Sequence, residues 1–477
     1  MKTIRNKIVL AFFGLLLFTS ISCEKFYDIN QDPDSLLDAP LTQLFTSATV
    51  NIGFTGGSDL LRYSSLISQQ LSGQTTGGES QTQAYEKYQI SGSDLNNVWT
   101  SMYATTISDL ELSIAKATAI NSPHYAGVGK LLKAYTYQLV VDTWGDIPYS
   151  EAQKFTNNLS PKYDSDEAIY TGLLALIDEG IADINAATSV QSPGLNSTIY
   201  PGAFATTKSK WIKFANTLKL RLYLHYSEKD AAFATAQMNT LVGAGTFFGS
   251  NADNFQMDFV ASAGAQNPIA QFETARPDYL VANKLMVDMM NTKADPRRAS
   301  YFTTVGGNFV GAIGGAPASP ILYSHIGTYL TGADGEAPIR MLTFAEYNFI
   351  RAEAALRFGV AGSAQTFFVA GITASMQDAG VDAADIATYI ALNGTLAGTP
   401  AQQLQQIIEE KFVANFGVAV EPWTDWRRTG FPALAVPANA VVNFVPRSLY
   451  YPQSEIDLNT NATQKAGMDV RVFWDVN

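Results

Sequence analysis

Apolar residues recur every three or four positions in one segment after another, and this helical period constrains the fold more than any other feature of the chain. In the segment 166–186, five apolar side chains share one face: Ile169, Leu173, Ile177, Ile181 and Ile184. The same pattern predicts further helices over residues 41–70 (interrupted at 53–57), 96–117, 127–143, 209–225, 231–241, 343–358 and 402–416, and one that begins at Leu280. Amphipathic helices in series indicate stacked helix pairs, although no repeat of fixed length is visible.

The helix after Thr343 has the best-marked ends. Thr343 as N-cap and Glu346 three residues later predict a capping box, in which each side chain binds the backbone N–H of the other residue. Gly359 predicts the end of the helix, because glycine readily adopts the left-handed conformation that follows a last turn.

The composition limits the functions open to the chain. Apolar residues make up 47% and charged residues 16% of the 477 positions, which is enough apolar material for a substantial core. The formal net charge of −12 argues against binding to nucleic acid or to an anionic lipid surface. Three histidines and one cysteine argue against a transition-metal site or a Cys/His nucleophile, so we expect no metal and no cofactor.

The first residues carry signals of export and anchoring. A basic start, an apolar run of 11 residues and a short stretch of small residues predict a signal peptide over residues 1–22. Cys23, the only cysteine, follows directly and is predicted to be lipidated with acyl chains such as palmitate. The alternative is an ordinary secreted protein with an unpaired thiol. Residues 23–40 would then tether a single body, residues 41–477, to a membrane.

Two long segments, residues 71–94 and 300–337, lack helical periodicity and are predicted to be loops on the body. Sugars present flat apolar faces that stack on aromatic rings, and hydroxyls that bind amides and carboxylates. Tyr85 and Tyr88 lie among polar residues in the first segment and are our first candidates for ligand contact. The second segment supplies three more candidates: Tyr301, Phe309 and Tyr323. The alternative for each ring is that it only packs on the body.

Four short motifs combine aromatic and charged residues: 144–152, 345–354, 423–432 and 447–455. Arg427 and Arg428 can stack on nearby tryptophans and pair with carboxylates of the body. Glu346, Arg351 and Glu353 lie on a predicted helix, where pairs of opposite charge four residues apart are usually solvated supports. We interpret the charged residues of these motifs as architectural, with ligand contacts elsewhere.

Taken in order after Cys23, the four motifs resemble those of the SusD/RagB family of outer-membrane nutrient-binding lipoproteins, in its SusD-like, starch-binding-associated branch. The likeness covers nearly all of the chain that follows Cys23. It implies a mostly α-helical body of tetratricopeptide-like helix pairs, with long irregular segments packed on it. It also implies a lipid anchor in the outer membrane, exposure at the cell surface, and a SusC-like TonB-dependent transporter as partner, over which the protein would sit as a lid. The family does not fix ligand contacts by motif, so the resemblance transfers no binding residue.

Three functions are open to such a chain. The first, which we favour, is capture of an oligosaccharide and its delivery to the transporter without bond chemistry. The second is binding of peptides or another non-sugar nutrient, because a fold does not dictate its ligand. The third is a secreted glycoside hydrolase, which needs two carboxylates about 5 to 10 Å apart. No recognisable catalytic frame and no Gly-x-Ser-x-Gly elbow occurs, so we expect no enzyme.

Overall fold

The computed structural model describes residues 39–75, 77–316 and 319–476, and most of these residues that lie in regular structure are α-helical. The strands are short, and long irregular stretches pack on the helices. This confirms the predicted fold class, a mostly α-helical scaffold of tetratricopeptide-like helix pairs with irregular segments packed on it.

Contacts divide the chain into two units, Met1–Pro40 and Leu41–Asn477, and the fold described here is that of the second unit. The predicted signal peptide over residues 1–22, the lipidation of Cys23 and most of the predicted tether lie outside the described residues. They stay predictions.

The first half of the body is a series of helices, several of them long. They are α1 (Leu41–Gly56), α2 (Asp59–Ile67), α3 (Gln81–Glu86), α4 (Asn96–Thr100), α5 (Ser108–Ala119), α6 (Pro123–Trp144), α7 (Asp166–Ile184), α8 (Phe204–His225) and α9 (Ala231–Ala244). A π-helical segment, Ser101–Ile107, joins α4 to α5, so the helix predicted over 96–117 is continuous but widened at its middle.

The helices of the second half are on average shorter. They are α10 (Pro268–Ala275), α11 (Lys284–Thr292), α12 (Arg298–Tyr301), α13 (Thr328–Thr331), α14 (Phe344–Phe358), α15 (Ala364–Asp378), α16 (Ala383–Asn393), α17 (Pro400–Ala414), α18 (Glu421–Thr429) and α19 (Gln453–Leu458). Helix α14 packs on both α15 and α17, and its last turn ends at Gly359 in the left-handed conformation, as predicted.

Within the described residues, six short strands form three antiparallel pairs, two of which join segments far apart in the sequence. They are β1 (Leu71–Gly73) with β5 (Leu280–Ala282), β2 (Ile147–Pro148) with β3 (Tyr163–Asp164), and β4 (Phe255–Met257) with β6 (Ile339–Leu342). The first pair matters for the functional site, because it fixes the start of the first irregular segment to the body.

The helix pair α6–α7 shows why the scaffold packs closely. Pro123 occupies the first turn of α6, where its missing N–H leaves no bond unmade, and Gly145 ends the helix at a φ of 74°. Where the two helices cross, a Cβ on Gly127 would lie 2.6 Å from the carbonyl oxygen of Gly180, so only glycine permits this approach. Nearly all of α6 is consequently buried between its neighbours.

Two predictions about where helices begin are wrong. Leu280 begins strand β5 rather than a helix, and the helix starts at Lys284, where the side chain of Asn283 caps it by accepting from Leu285 N–H at 2.9 Å. The capping box at Thr343 is only half formed. Thr343 Oγ1 accepts from Glu346 N–H at 3.1 Å, but the Glu346 carboxylate turns away to bind a buried arginine.

That arginine belongs to a group of charges buried between helices, which we call the core charge cluster: Arg221, Glu346, Glu353, Lys411, Glu421, Asp425 and Arg428. Arg221 binds both oxygens of Glu346 at 2.7 Å, and Lys411 Nζ lies 2.8 Å from both Glu421 and Asp425. Our expectation of solvated pairs on α14 is therefore wrong for Glu346, Arg351 and Glu353, which are all buried. The pairing of Arg428 with Glu353 agrees with the architectural interpretation.

Candidate functional site

An open cavity of about 640 Å³ lies against α3 and the turn that follows it. We call it the α3 cavity. Its wall joins the first irregular segment to residues near the C-terminal end, and it includes Tyr85, Tyr88, Asp94, Val441, Tyr450 and Met468. This volume falls in the range of sites that bind small molecules or short oligomers.

Helix α3 was predicted as part of a loop and is held in place by its capping residues. Ser80 Oγ accepts from Gln83 N–H at 3.2 Å, and Gln83 Oε1 accepts from Ser80 N–H at 3.0 Å, which completes a capping box. Thr82 donates its hydroxyl to the carbonyl of Tyr279 at 2.6 Å, next to β5. A helix of six residues is too short to be stable alone, so these bonds to the body fix its position.

Tyr85 lies on α3 and closes the inner side of the cavity. Its ring centroid is 4.7 Å from that of Tyr63 on α2, and its hydroxyl lies 3.3 Å from Asp94 Oδ1. Burial raises the pKa of Tyr85, so the phenol stays protonated and can donate. The side chain is 3% exposed, which leaves an edge rather than a face for a ligand.

Tyr88 forms the adjoining wall from a strained backbone. It follows the last turn of α3 with a φ of 63°, and its N–H and that of Gln89 bind the carbonyls of Tyr85 and Ala84 at 3.0 and 2.9 Å. This is the Schellman arrangement, in which glycine usually occupies the left-handed position. A bulky residue there is an outlier, and such strain concentrates at functional sites.

The outer wall is formed by Val441 and Val442, at the end of an uncharged stretch, residues 433–442, that backbone bonds pin to both irregular segments. Val441 N–H donates to Lys87 C=O at 2.9 Å, and Ala438 N–H donates to Gly314 C=O at 3.0 Å. Val441 remains 58% exposed, so this wall presents apolar surface at the mouth of the cavity.

Glu86 lies beneath this junction and joins three segments. Its carboxylate accepts from the Ser72 hydroxyl and from Gly315 N–H, the latter at 3.0 Å. Burial raises the pKa of Glu86 to about 7, against the opposing effect of these two hydrogen bonds. Glu86 is thus a carboxyl group that changes charge near neutral pH directly behind the cavity wall.

Tyr450 is the aromatic residue of the cavity that sequence reasoning missed. Its ring is half-buried, and its backbone carbonyl accepts from the indole N–H of Trp144 at 2.9 Å, which fixes its position on the scaffold. The available signal was its place inside the 447–455 motif, which we had interpreted as architecture alone. Tyr450 offers more ring surface than Tyr85 or Tyr88, both of which are buried.

The aromatic residues predicted in the second irregular segment do not line the α3 cavity. Tyr301 is fully buried, with its ring centroid 4.5 Å from that of Tyr329 and its hydroxyl donated to Val413 C=O at 3.2 Å. Phe309 is partly buried under the guanidinium of Arg298 at 5.2 Å. Tyr323 is half-buried. Contact of these rings with a ligand stays a prediction, and the structure brings none of them to the cavity.

Among the described residues, no group of three or more histidine, cysteine, aspartate or glutamate side chains is arranged to hold a metal ion. No helix in the described part of the chain is long and apolar enough to cross a bilayer.

Comparison with known proteins gives one family and many similar structures. A family model named SusD-like, and described as starch-binding and associating with the outer membrane, matches residues 33–452. A structure described as a chitin-binding protein is 25% identical, with a TM-score of 0.79 over 92% of this chain and 100% of that chain. A chitin-binding SusD homolog from Flavobacterium johnsoniae is also 25% identical, with a TM-score of 0.76 over 92% and 99% of the two chains.

Other similar structures share the fold at lower identity. A SusD/RagB family protein from Bacteroides thetaiotaomicron is 20% identical, with a TM-score of 0.76 over 92% of this chain and 99% of that chain. No curated protein matches the sequence.

Proposed function

The chain belongs to the SusD/RagB family, and on that premise we propose that it captures an oligosaccharide at the outer membrane and delivers it to a transporter without changing its bonds. The description of the matching family, starch-binding and associating with the outer membrane, supports both the carbohydrate ligand and the location. Two similar structures at 25% identity are described as chitin-binding, which supports the same class of ligand.

The observation that carries the proposal is the composition of the α3 cavity. Tyr450 supplies ring surface, on which the apolar face of a sugar can stack. Gln81, Gln89 and Ser91 are exposed at the same wall and supply amide and hydroxyl groups for sugar hydroxyls. A shallow, open site with one platform and several neutral polar groups suits a ligand that must be held and then released.

Anchoring and partnership complete the proposal. Lipidation at Cys23 would hold the body at the membrane, and the position of this cysteine directly after an export signal supports it. A SusC-like TonB-dependent transporter is the partner that the family membership favours, with this chain as a lid on the cell surface. Cells that lack the protein should then import the ligand poorly, and normal import would contradict the delivery role.

A peptide ligand and a hydrolytic activity have less support from the cavity. Strand-like binding of a peptide needs free backbone groups, but Val441 N–H and Lys87 C=O are bonded to each other. A glycosidase needs one carboxyl group in an apolar setting. Glu79 is exposed and paired with Lys87, and Asp94 is hydrogen-bonded to Ser91.

Calorimetry of the purified protein with a panel of oligosaccharides and peptides tests the proposal. We expect saturable binding of at least one oligosaccharide and no product after long incubation. Tyr450→Ala should weaken that binding about tenfold, which corresponds to loss of one stacking contact. Tyr323→Ala is the matched control, because it removes a half-buried tyrosine outside the cavity.

The outcomes separate the alternatives. Binding that is lost in Tyr323→Ala and kept in Tyr450→Ala would place the site on the second irregular segment instead. Binding of peptides alone would change the ligand class, and formation of product would overturn the non-enzymatic role.

A further inference from the structure

We propose that the α3 cavity selects its ligand by charge and prefers a cationic amino sugar to neutral or acidic sugars, with the Asp94 carboxylate as the group that distinguishes them. This inference rests on the proposed function, since it concerns the ligand of the same cavity. It adds a class of sugar and a specificity-determining residue.

The charges that line the cavity are all negative. Two carboxylates, Glu79 and Asp94, belong to its wall, and within the described residues no lysine, arginine or histidine does. Glu79 is exposed, and its carboxylate lies 2.5 Å from Lys87 Nζ, so a neighbour already balances its charge. The hydrogen-bond partners of Asp94 within the described chain are neutral, namely Ser91 and Tyr85. Asp94 is therefore the carboxylate whose charge is left for a ligand.

The carboxylate of Asp94 is held in position with one oxygen available. Its Oδ2 accepts from Ser91 N–H at 2.8 Å and from the Ser91 hydroxyl at 2.6 Å, in the capping box of the 3-10 helix Gly92–Leu95. Its Oδ1 receives only a long bond, at 3.3 Å, from the Tyr85 hydroxyl. An ionised carboxylate oxygen can accept two hydrogen bonds, so Oδ1 has capacity for a donor from the cavity.

An ammonium group on a sugar matches this arrangement. A charge-assisted hydrogen bond from an ammonium to a carboxylate is about twice as strong as a neutral one. The Tyr450 ring in the same wall can stack on the sugar and also attract a cation. A uronic or sulfated sugar would bring its negative charge towards Asp94 with no basic side chain in the lining to bind it.

Three probes of similar length test the preference by calorimetry on the purified protein. They are the β-1,4-linked tetramer of glucosamine, the same tetramer fully N-acetylated, and a tetramer of galacturonic acid. The measurements are made at about pH 6, where most of the free amines of the glucosamine tetramer are protonated. We expect the glucosamine tetramer to bind about tenfold more tightly than its N-acetylated form, and the acidic tetramer to bind most weakly. Salt at about 0.5 M should reduce the advantage, because it screens the charges.

Asp94→Asn should bring the affinities of the two glucosamine tetramers within about twofold of each other. Asparagine can still accept from Ser91, so the capping box is retained, and an unchanged unfolding curve would verify this. Glu79→Gln is the matched control. It removes a lining carboxylate that Lys87 already balances, and it should leave most of the preference intact.

Each other result contradicts the inference in a recognisable way. Equal affinities, or tighter binding of the N-acetylated tetramer, would overturn the charge preference, and a preference that survives in Asp94→Asn would overturn the role of that residue. If neutral oligosaccharides of the wider panel bind without regard to charge, the proposed function stands and only this inference fails. If no oligosaccharide binds at all, both fail.

Discussion

The surroundings of two buried glutamates shift their pKa values in opposite directions. Glu353 lies in the core charge cluster, and Glu86 lies behind the α3 cavity. Burial raises the pKa of a carboxyl group in both places, but at Glu353 the guanidinium groups of Arg428 and Arg357 outweigh it and lower the pKa to about 2. At Glu86 burial outweighs a hydroxyl, two backbone N–H groups and the charge of Lys87, and the pKa is raised to about 7. Glu353 therefore keeps its charge at neutral pH, whereas Glu86 can lose its charge there.

The same difference separates the two regions as a whole. The core charge cluster joins α8, α14, α17 and α18 through ion pairs that no ligand can reach. The α3 cavity is joined by single backbone hydrogen bonds and lined by tyrosines, two carboxylates, neutral polar groups and valines. The most conspicuous charged motifs of the sequence thus build the scaffold, and the face that we propose to bind ligand is made of ordinary residues.

The largest loss of stability should follow from removing one charge of the core charge cluster. Arg428→Met leaves the Glu353 carboxylate buried with only the partly exposed Arg357 as its ionic partner. Removing one member of a buried ion pair usually lowers the free energy of unfolding by about 3 to 5 kcal/mol. Urea denaturation at neutral pH would measure this loss.

Lys284→Met is the matched control for Arg428→Met. Lys284 pairs with Asp288 four residues on, and both side chains are more than half exposed, so its loss should change the free energy of unfolding by less than about 0.5 kcal/mol. If both variants lose similar stability, the core charge cluster does not hold the scaffold together.

The scaffold could be predicted largely because its signals are local. Helical periodicity, the N-cap at Thr343 and the stop at Gly359 all act within one or two turns, and the structure has that helix where the sequence predicts it. The capping box at Thr343 was predicted wrongly, because a residue distant in the sequence binds the side chain that would have completed it. Arg221, which is 125 positions away in sequence, binds the Glu346 carboxylate that the capping box would have used.

The cavity was less predictable, because its parts are far apart in the chain. Tyr85 was singled out from its polar neighbours, but its burial by Tyr63 depends on how α2 packs, which periodicity does not reveal. Helix α3 escaped notice since it has only six residues. Tyr450 reaches the cavity from a segment more than 350 positions later, and only the three-dimensional fold joins the two.

The next largest effect is the change of stability with pH that we expect from Glu86. With a folded pKa of about 7 and an ordinary unfolded value of 4.5, Glu86 binds more protons in the folded protein than in the unfolded chain between these two pH values. The stabilisation that protonated Glu86 gives the folded protein is thus fully present below about pH 4.5 and is lost as the pH rises to about 7. The loss is on the order of 3 kcal/mol for a shift of this size.

Glu86→Gln should remove that dependence, because glutamine stays neutral and can still accept from Gly315 N–H. Relative to the natural protein, the variant should gain stability between about pH 5 and pH 8, as measured by urea denaturation at each pH. An equal pH dependence of both proteins would mean that Glu86 is already ionised in the folded state. Glu353→Gln gives the contrast, since it should be destabilised throughout the same range.

The smallest effect concerns the backbone strain under the cavity wall. Tyr88→Ala and Tyr88→Gly both remove the ring, so they lose the same packing, but only glycine accepts a φ of 63° without strain. We expect the glycine variant to be more stable than the alanine variant by about 1 kcal/mol. The order should reverse at Tyr85, inside α3, where alanine is the better helix former by about 1 kcal/mol. Should the order at Tyr88 match that at Tyr85, the strained turn would not be a feature of the folded protein. The expected reversal would mean that a tyrosine stands where the backbone favours glycine, which is understandable if its ring is needed to form the cavity wall.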